Sequence, residues 1–181
     1  IGIVGPMIAS VHAPGAFNEA RVTQDLTGLI ITPGFIDGHV HVESSHMLPH
    51  HYASVVVPQG TTTIFWDPHE LANVLGLDGI RYAVQASRNL PLRFVVQASS
   101  CVPAAPGLEI SGADFRADEI RDLMSWPDVA GLAEVMDMRA VLEGAAKTAE
   151  KMKDEFVSTE HLLLALTTTD SKAQRLLQLA G

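Results

Sequence analysis

Pro33-Gly34-Phe35-Ile36-Asp37-Gly38-His39-Val40-His41-Val42-Glu43-Ser44-Ser45-His46 reads as a strand that ends in a cluster of polar, chemically active side chains. A Pro-Gly pair precedes apolar residues that favour extended backbone, so a strand is expected over Phe35–Val42. Working outward, further apolar runs predict strands at Thr61–Trp66, Leu92–Ala98 and Val129–Val135. Amphipathic stretches between them predict helices near Leu48–Val57, Asp78–Arg88 and Ala117–Met124. Pro91 and Pro127 sit just before the third and fourth strands, where helices must stop. Strands alternating with helices imply βαβ units and a parallel sheet. On a strand, residues two apart share a face, so His39 and His41 aim both imidazoles at one point and can hold a divalent transition metal. The competing reading is two solvated or hydrogen-bonded histidines on an edge strand.

Before this region, residues 1–32 carry β-branched residues broken by Gly and Pro, the pattern of a small β segment. After about Leu142 the texture changes. Ala145–Lys153, Thr159–Leu166 and Ser171–Ala180 read as three short helices, with Ser158 and Asp170 as N-caps and Gly181 as a C-cap. The expected fold is therefore α/β: a partial (β/α) barrel of about four βα units, with a small N-terminal β segment and an α-helical tail. The expected domains are 1–32, 33–142 and 143–181. A complete barrel needs roughly 200 residues or more, against 181 here.

The net charge of −9 argues against nucleic acid or an anionic membrane as the main partner. No apolar run reaches the ~20 residues of a membrane span. Cys101 is the single cysteine, so no intrachain disulfide can form, and a cytoplasmic location is expected. The chain opens on Ile1 rather than Met, which points to a piece cut from something longer.

The run Pro33–His41 with Glu43-Ser44-Ser45 resembles the first strand of the amidohydrolase superfamily. Together with Gly60-Thr61-Thr62-Thr63 and Asp67-Pro68-His69-Glu70-Leu71-Ala72-Asn73-Val74, it is similar to the adenine deaminase family over roughly residues 1–142. The resemblance implies a metal centre of iron, manganese or zinc held by His39 and His41, and no organic cofactor. Gly131-Leu132-Ala133-Glu134-Val135-Met136 resembles the family's fourth strand, whose glutamate bridges two metals, and Glu134 is the matching position. A carboxylate ending an apolar strand is costly to bury without a cation or hydrogen bonds; solvation at the strand end is the alternative. Asp67, His69 and Glu70 resemble the family's active-site loop. By that resemblance, His69 binds substrate, and Asp67 and Glu70 join Glu134 as catalytic groups. An Asp-Pro turn leading into a helix N-terminus, with Glu in the first turn, explains the same residues without chemistry.

The remaining candidates carry less. His46, His50 and His51 are expected to face solvent or cap the first helix, with His46 within reach of the site. His12 and His161 stand without chemical company, Cys101 reads as a small core or loop residue, and Met136 and Met138 read as core fillers. The family's further histidines and aspartate come from strands five to eight, and nothing after Glu134 supplies them, so a chain truncated at mid-barrel and inactive alone is expected. Four βα units leave open sheet edges, which calls for a homo-oligomer or cover from the tail. The tail itself, Glu155 to Leu166 and Ala173 to Gly181, resembles the N-terminal domain of Clp-type chaperone ATPases, which implies a peptide or adaptor partner. Three functions follow as expectations: a metal-dependent hydrolase of the adenine deaminase type acting on a purine base, a protein-binding module, or a scaffold without activity.

Overall fold

The computed structural model describes residues 1–168 except 14, 17, 18 and 137; the predicted helix Ser171–Ala180 and the caps at Asp170 and Gly181 lie outside these residues. The chain divides into two compact units, Ile1–Pro33 and Gly34–Gly181. In the first, β1 (Gly2–Val4) and β2 (Met7–Ser10) form an antiparallel hairpin. Its tight turn places Gly5 at φ 56°, a left-handed conformation that glycine adopts at little cost.

The second unit is built on a four-stranded parallel sheet in the order β3 (Phe35–Val40), β4 (Thr61–Trp66), β5 (Arg93–Ala98), β6 (Val129–Leu132). Each strand is laid beside its predecessor in chain order and in the same direction. A doubly wound sheet reverses that order at its centre; sequential addition is what a partial (β/α) barrel requires. The connections are helical: α1 (Pro49–Val56), the pair α2 (His69–Leu75) and α3 (Leu77–Ala86), and α4 (Ala117–Ser125). After β6 come α5 (Met138–Met152) and α6 (Thr159–Thr168), which pack on one another.

Alternation along β4 decides which face is covered. Ile64 and Trp66 are fully buried, while Thr63 and Phe65 on the opposite side are only partly so. Ile64, Trp66, Val96, Ala98 and Val129 join one core with Ala53 of α1, Ala72 of α2, Ile80, Ala83 and Val84 of α3, and Ile120 and Leu123 of α4. The helices thus cover the face that carries Ile64 and Trp66. Gly79 lets α2 and α3 approach closely: a Cβ there would stand 2.4 Å from the Leu71 carbonyl oxygen.

Four differences from expectation have local causes. β3 stops at Val40 rather than Val42, because Val42 turns into a 3-10 turn at Glu43–Ser45. β6 stops at Leu132 rather than Val135, after a register irregularity between Val96 and Ala98 of its partner strand. The segment after Asp67-Pro68 is a helix, α2, which the sequence reading raised only as an alternative, a helix N-terminus after an Asp-Pro turn. α5 begins at Met138 rather than Ala145.

Candidate metal centre

The C-terminal ends of β4 and β5 bury polar groups where an apolar core would be expected: Asp67, Ser99 and Ser100 are 0%, 0% and 2% exposed. Buried polar groups carry more information than exposed apolar ones. Around Asp67 gather side chains from three other places: His39 and His41 at the end of β3, His69 and Glu70 in the first turn of α2, and Glu134 just beyond β6.

His39 Nε2 and His41 Nε2 stand 3.1 Å apart with the rings edge to face. His41 Nδ1 donates to the Asp67 carbonyl oxygen at 2.7 Å. That bond fixes the tautomer and leaves the Nε2 lone pair directed at the centre of the cluster, the arrangement metal-ligating histidines use. Glu134 reaches in from the fourth strand, with Oε2 3.3 Å from His39 Nε2 and Oε1 3.8 Å from His41 Nε2. His69 Nδ1 lies 3.2 Å from His41 Nδ1 and 3.9 Å from Glu134 Oε1. Ligand atoms converge in three overlapping sets: His39, His41 and Asp67; His41, His69 and Glu70; and Asp67, His69 and Glu134.

The donor chemistry fits a divalent transition metal. Imidazole nitrogens with carboxylate oxygens suit zinc, iron or manganese rather than calcium. Asp67 Oδ1 accepts from Ser99 Oγ at 2.5 Å, whereas Asp67 Oδ2 and Glu70 Oε2 are buried without a hydrogen-bond partner among the described residues. Burial pushes the Asp67 carboxyl above the usual carboxylate range, against the Ser99 hydrogen bond and the nearby His69 and His41. An orphaned carboxylate oxygen costs about 1–3 kcal/mol or more, and a cation in the cluster removes that penalty.

At the rim, Glu43 and Glu70 make a second acidic pair that the sequence reading did not single out. Trp66 Nε1 donates to Glu43 Oε2 at 2.6 Å, and Ser44 Oγ donates to Glu70 Oε1. Burial first, and then the adjoining Glu70 carboxyl, raise Glu43 to about 7. Burial also pushes Glu70 up, but Glu43 and Ser44 outweigh it and hold Glu70 below its ordinary value. Ser99, Ser100 and Cys101 were likewise not read as site residues. Their one sequence signal is that a small polar tripeptide directly ends an apolar strand.

Every expected site residue, His39, His41, Asp67, His69, Glu70 and Glu134, falls in this one cluster. The other histidines do not: His46 is exposed at φ 57°, and His50 and His51 are exposed on α1. Cys101 is buried, and burial pushes its thiol up, so it is a thiol rather than a thiolate. His161 is corrected. It is 1% exposed, its Nδ1 accepts from the Ser158 backbone N–H at 2.8 Å, and its Nε2 donates to Asp154 Oδ2 at 2.9 Å.

A parallel sheet grown strand by strand, with paired histidines ending its first strand and a glutamate beyond its fourth, is the frame of a metal-dependent hydrolase. The chain belongs to the Amidohydrolase family, whose model matches residues 30–180, a span that runs through α5 and α6. Within that family it is similar to adenine deaminases. It is 61% identical over 150 residues to "Adenine deaminase" of Serratia proteamaculans (strain 568), covering 83% of this chain and 25% of the relative. It is 56% identical over 150 residues to "Adenine deaminase" of Klebsiella pneumoniae (strain 342), with the same shares. To "Adenine deaminase 2" of Rhizobium meliloti (strain 1021) it is 58% identical over 144 residues, 80% of this chain and 24% of the relative. The chain thus spans about a quarter of the length of the curated relatives it matches. Among the described residues no helix is long and apolar enough to cross a membrane.

Proposed function

We propose that this chain carries the first part of an adenine-deaminase-type active site: a metal-binding cluster of His39, His41 and Glu134, with Asp67, His69 and Glu70 around it. The observation that carries the reading is the pair of Nε2 atoms 3.1 Å apart facing the Glu134 carboxylate. In the reaction of the relatives' name, adenine and water give hypoxanthine and ammonia. A bound divalent metal supplies Lewis acidity and lowers the pKa of water. The chain's own groups do the rest. His39, His41 and Glu134 hold the ion, and Asp67 and Glu70 hold or move protons beside it. His69 orients the purine base. The test is metal stoichiometry after dialysis against zinc or manganese. Up to one ion per chain is expected, falling below a tenth of that in a His39→Ala, His41→Ala double variant; equal metal in the double variant sinks the assignment.

A second reading concerns residues 143–181. Phe156 is 80% exposed and Leu163 61% exposed beside the packed pair α5 and α6, an apolar surface that suits a peptide or adaptor. Saturable binding of a hydrophobic peptide, lost on deleting 143–181, supports it. A folded chain with neither metal nor peptide binding leaves only the scaffold role.

A further inference from the structure

Glu134 lies two residues beyond the last residue of β6, so the sheet ladder alone does not fix it. Its main chain is held by side chains from the neighbouring strand. Gln97 Nε2 donates to the Leu132 carbonyl at 3.3 Å, and Ala133 N–H donates to the Ala98 carbonyl at 3.0 Å. Then the pattern changes. Ser100 Oγ donates to the Glu134 carbonyl at 2.5 Å, Cys101 Sγ donates to the same oxygen at 3.3 Å, and the Met136 N–H donates to Cys101 Sγ at 3.2 Å. On the opposite side of β5, Ser99 Oγ donates to Asp67 Oδ1 at 2.5 Å. All three residues are at most 2% exposed.

We propose that Ser99-Ser100-Cys101 is a positioning clamp that ties the acid ending β4 to the acid following β6 and so sets the bite of the metal cluster. The geometry follows from pairing. β5 lies between β4 and β6, and Ser99–Cys101 directly follow its last residue, Ala98, so this short segment passes between the ends of both neighbours: Ser99 reaches one acid while Ser100 and Cys101 grip the other's backbone. Ser99 occupies Oδ1 of Asp67 and leaves Oδ2 without a hydrogen-bond partner among the described residues. The double grip on the Glu134 carbonyl, with Met136 N–H anchored to the same sulfur, holds the two peptide units that follow Glu134, while the Gln97 and Ala98 contacts hold the one between Leu132 and Ala133, so the main chain is tied down before and after Glu134. Groups that orient metal ligands from behind typically change metal affinity 10–100-fold when removed.

The proposal rests on the metal-site reading above, and the experiment separates the two. It uses the full chain, with zinc affinity measured by competition against a chromophoric chelator and amide hydrogen exchange followed at Met136. Ser99→Ala and Cys101→Ala are expected to weaken zinc about 10–100-fold while the urea midpoint of unfolding moves little. Cys101→Ser keeps a donor and an acceptor at the same place, and affinity returns to near the wild-type value. Exchange at Met136 rises about tenfold or more in Cys101→Ala, because that amide loses its acceptor, and not in Cys101→Ser. Unchanged zinc affinity in Ser99→Ala, Ser100→Ala and Cys101→Ala overturns the proposal. If the wild-type chain takes no zinc, the metal-site reading fails, and Met136 exchange decides the clamp alone: unaltered exchange in Cys101→Ala overturns it. Should Cys101→Ala not fold, Ser100→Ala carries the zinc measurement, with affinity about 10–100-fold weaker expected and an unchanged affinity overturning the proposal.

Discussion

Trp66 is 1% exposed and still donates its indole N–H to Glu43 Oε2 at 2.6 Å. One side chain therefore belongs both to the core and to the rim of the metal cluster. Trp66→Phe keeps an aromatic ring but strands a half-buried carboxylate oxygen and leaves a small cavity. The expected loss is about 2–4 kcal/mol, read as a lower urea midpoint with an unchanged slope; a loss under about 0.5 kcal/mol means Glu43 finds another donor. At this scale the sequence was legible where side-chain direction follows from strand periodicity alone. His39 and His41 are two apart on an extended strand, and their rings meet as that spacing demands. Glu43 is two residues further on, yet the same rule fails for it, because the chain has already turned at Val42 into the 3-10 turn. Its partners, Trp66 and Glu70, are 23 and 27 positions away, and no local pattern announces a contact of that kind. His161 was illegible for a related reason: its company, Asp154 and Ser158, is local, but the value of the contacts comes from burial.

Helix ends and helix crossings carry the predictions at the next scale. At the start of α6, Ser158 N–H donates to His161 Nδ1 at 2.8 Å, a reach-back like that of the third-position Glu or Gln in a capping box. His161→Ala removes both that acceptor and the donor to Asp154, and a cost of about 1–2 kcal/mol is expected. His161→Gln restores an acceptor at the same position and should recover part of it; circular dichroism through urea titration compares the two. Where α2 passes α3, Gly79→Ala would place a methyl group 2.4 Å from the Leu71 carbonyl. Backbone cannot yield as a flexible side chain does, so about 1–3 kcal/mol is expected from forced separation of the helices. A neutral Gly79→Ala would show that α2 shifts freely, and with it His69 and Glu70. The strands and the helices α1, α3 and α4 were legible because apolar runs and amphipathic stretches alternate cleanly. α2 was legible only as an alternative, because seven residues after an Asp-Pro turn give too short a pattern to set a helix apart from an active-site loop. The far end of β6 was misjudged because Ala133–Val135 looks like strand, whereas its backbone groups are taken by Ser100 and Cys101 side chains as well as by the ladder.

For the molecule as a whole, what the cluster contains sets what it can do. Six groups that could ligate a metal converge from the ends of β3, β4 and β6 and from α2. Amidohydrolases of the kind the sequence resembles also draw histidines and an aspartate from later strands, and the four strands of this sheet do not provide them. Positioning of the base and activation of water have to act together, and losing single members of a cooperative catalytic set costs factors of about 10⁴ or more. The chain alone is therefore expected to bind metal and fold, yet to release no ammonia from adenine above background. The assay supplies zinc, manganese or iron(II) and follows ammonia over hours. A second copy of the sheet could bring duplicate histidines and glutamates to an open edge, but Asp67 would then have to serve as proton acceptor from the second strand of the sheet. That arrangement makes a distinct prediction: activity rising with the square of chain concentration and vanishing in Asp67→Asn. Turnover of about one per second that disappears in Glu134→Gln would overturn the expectation of silence and fix Glu134 in the reaction. Silence in a chain that carries its metal leaves binding as the whole of what this part of the site performs, with the chemistry assigned to groups beyond it.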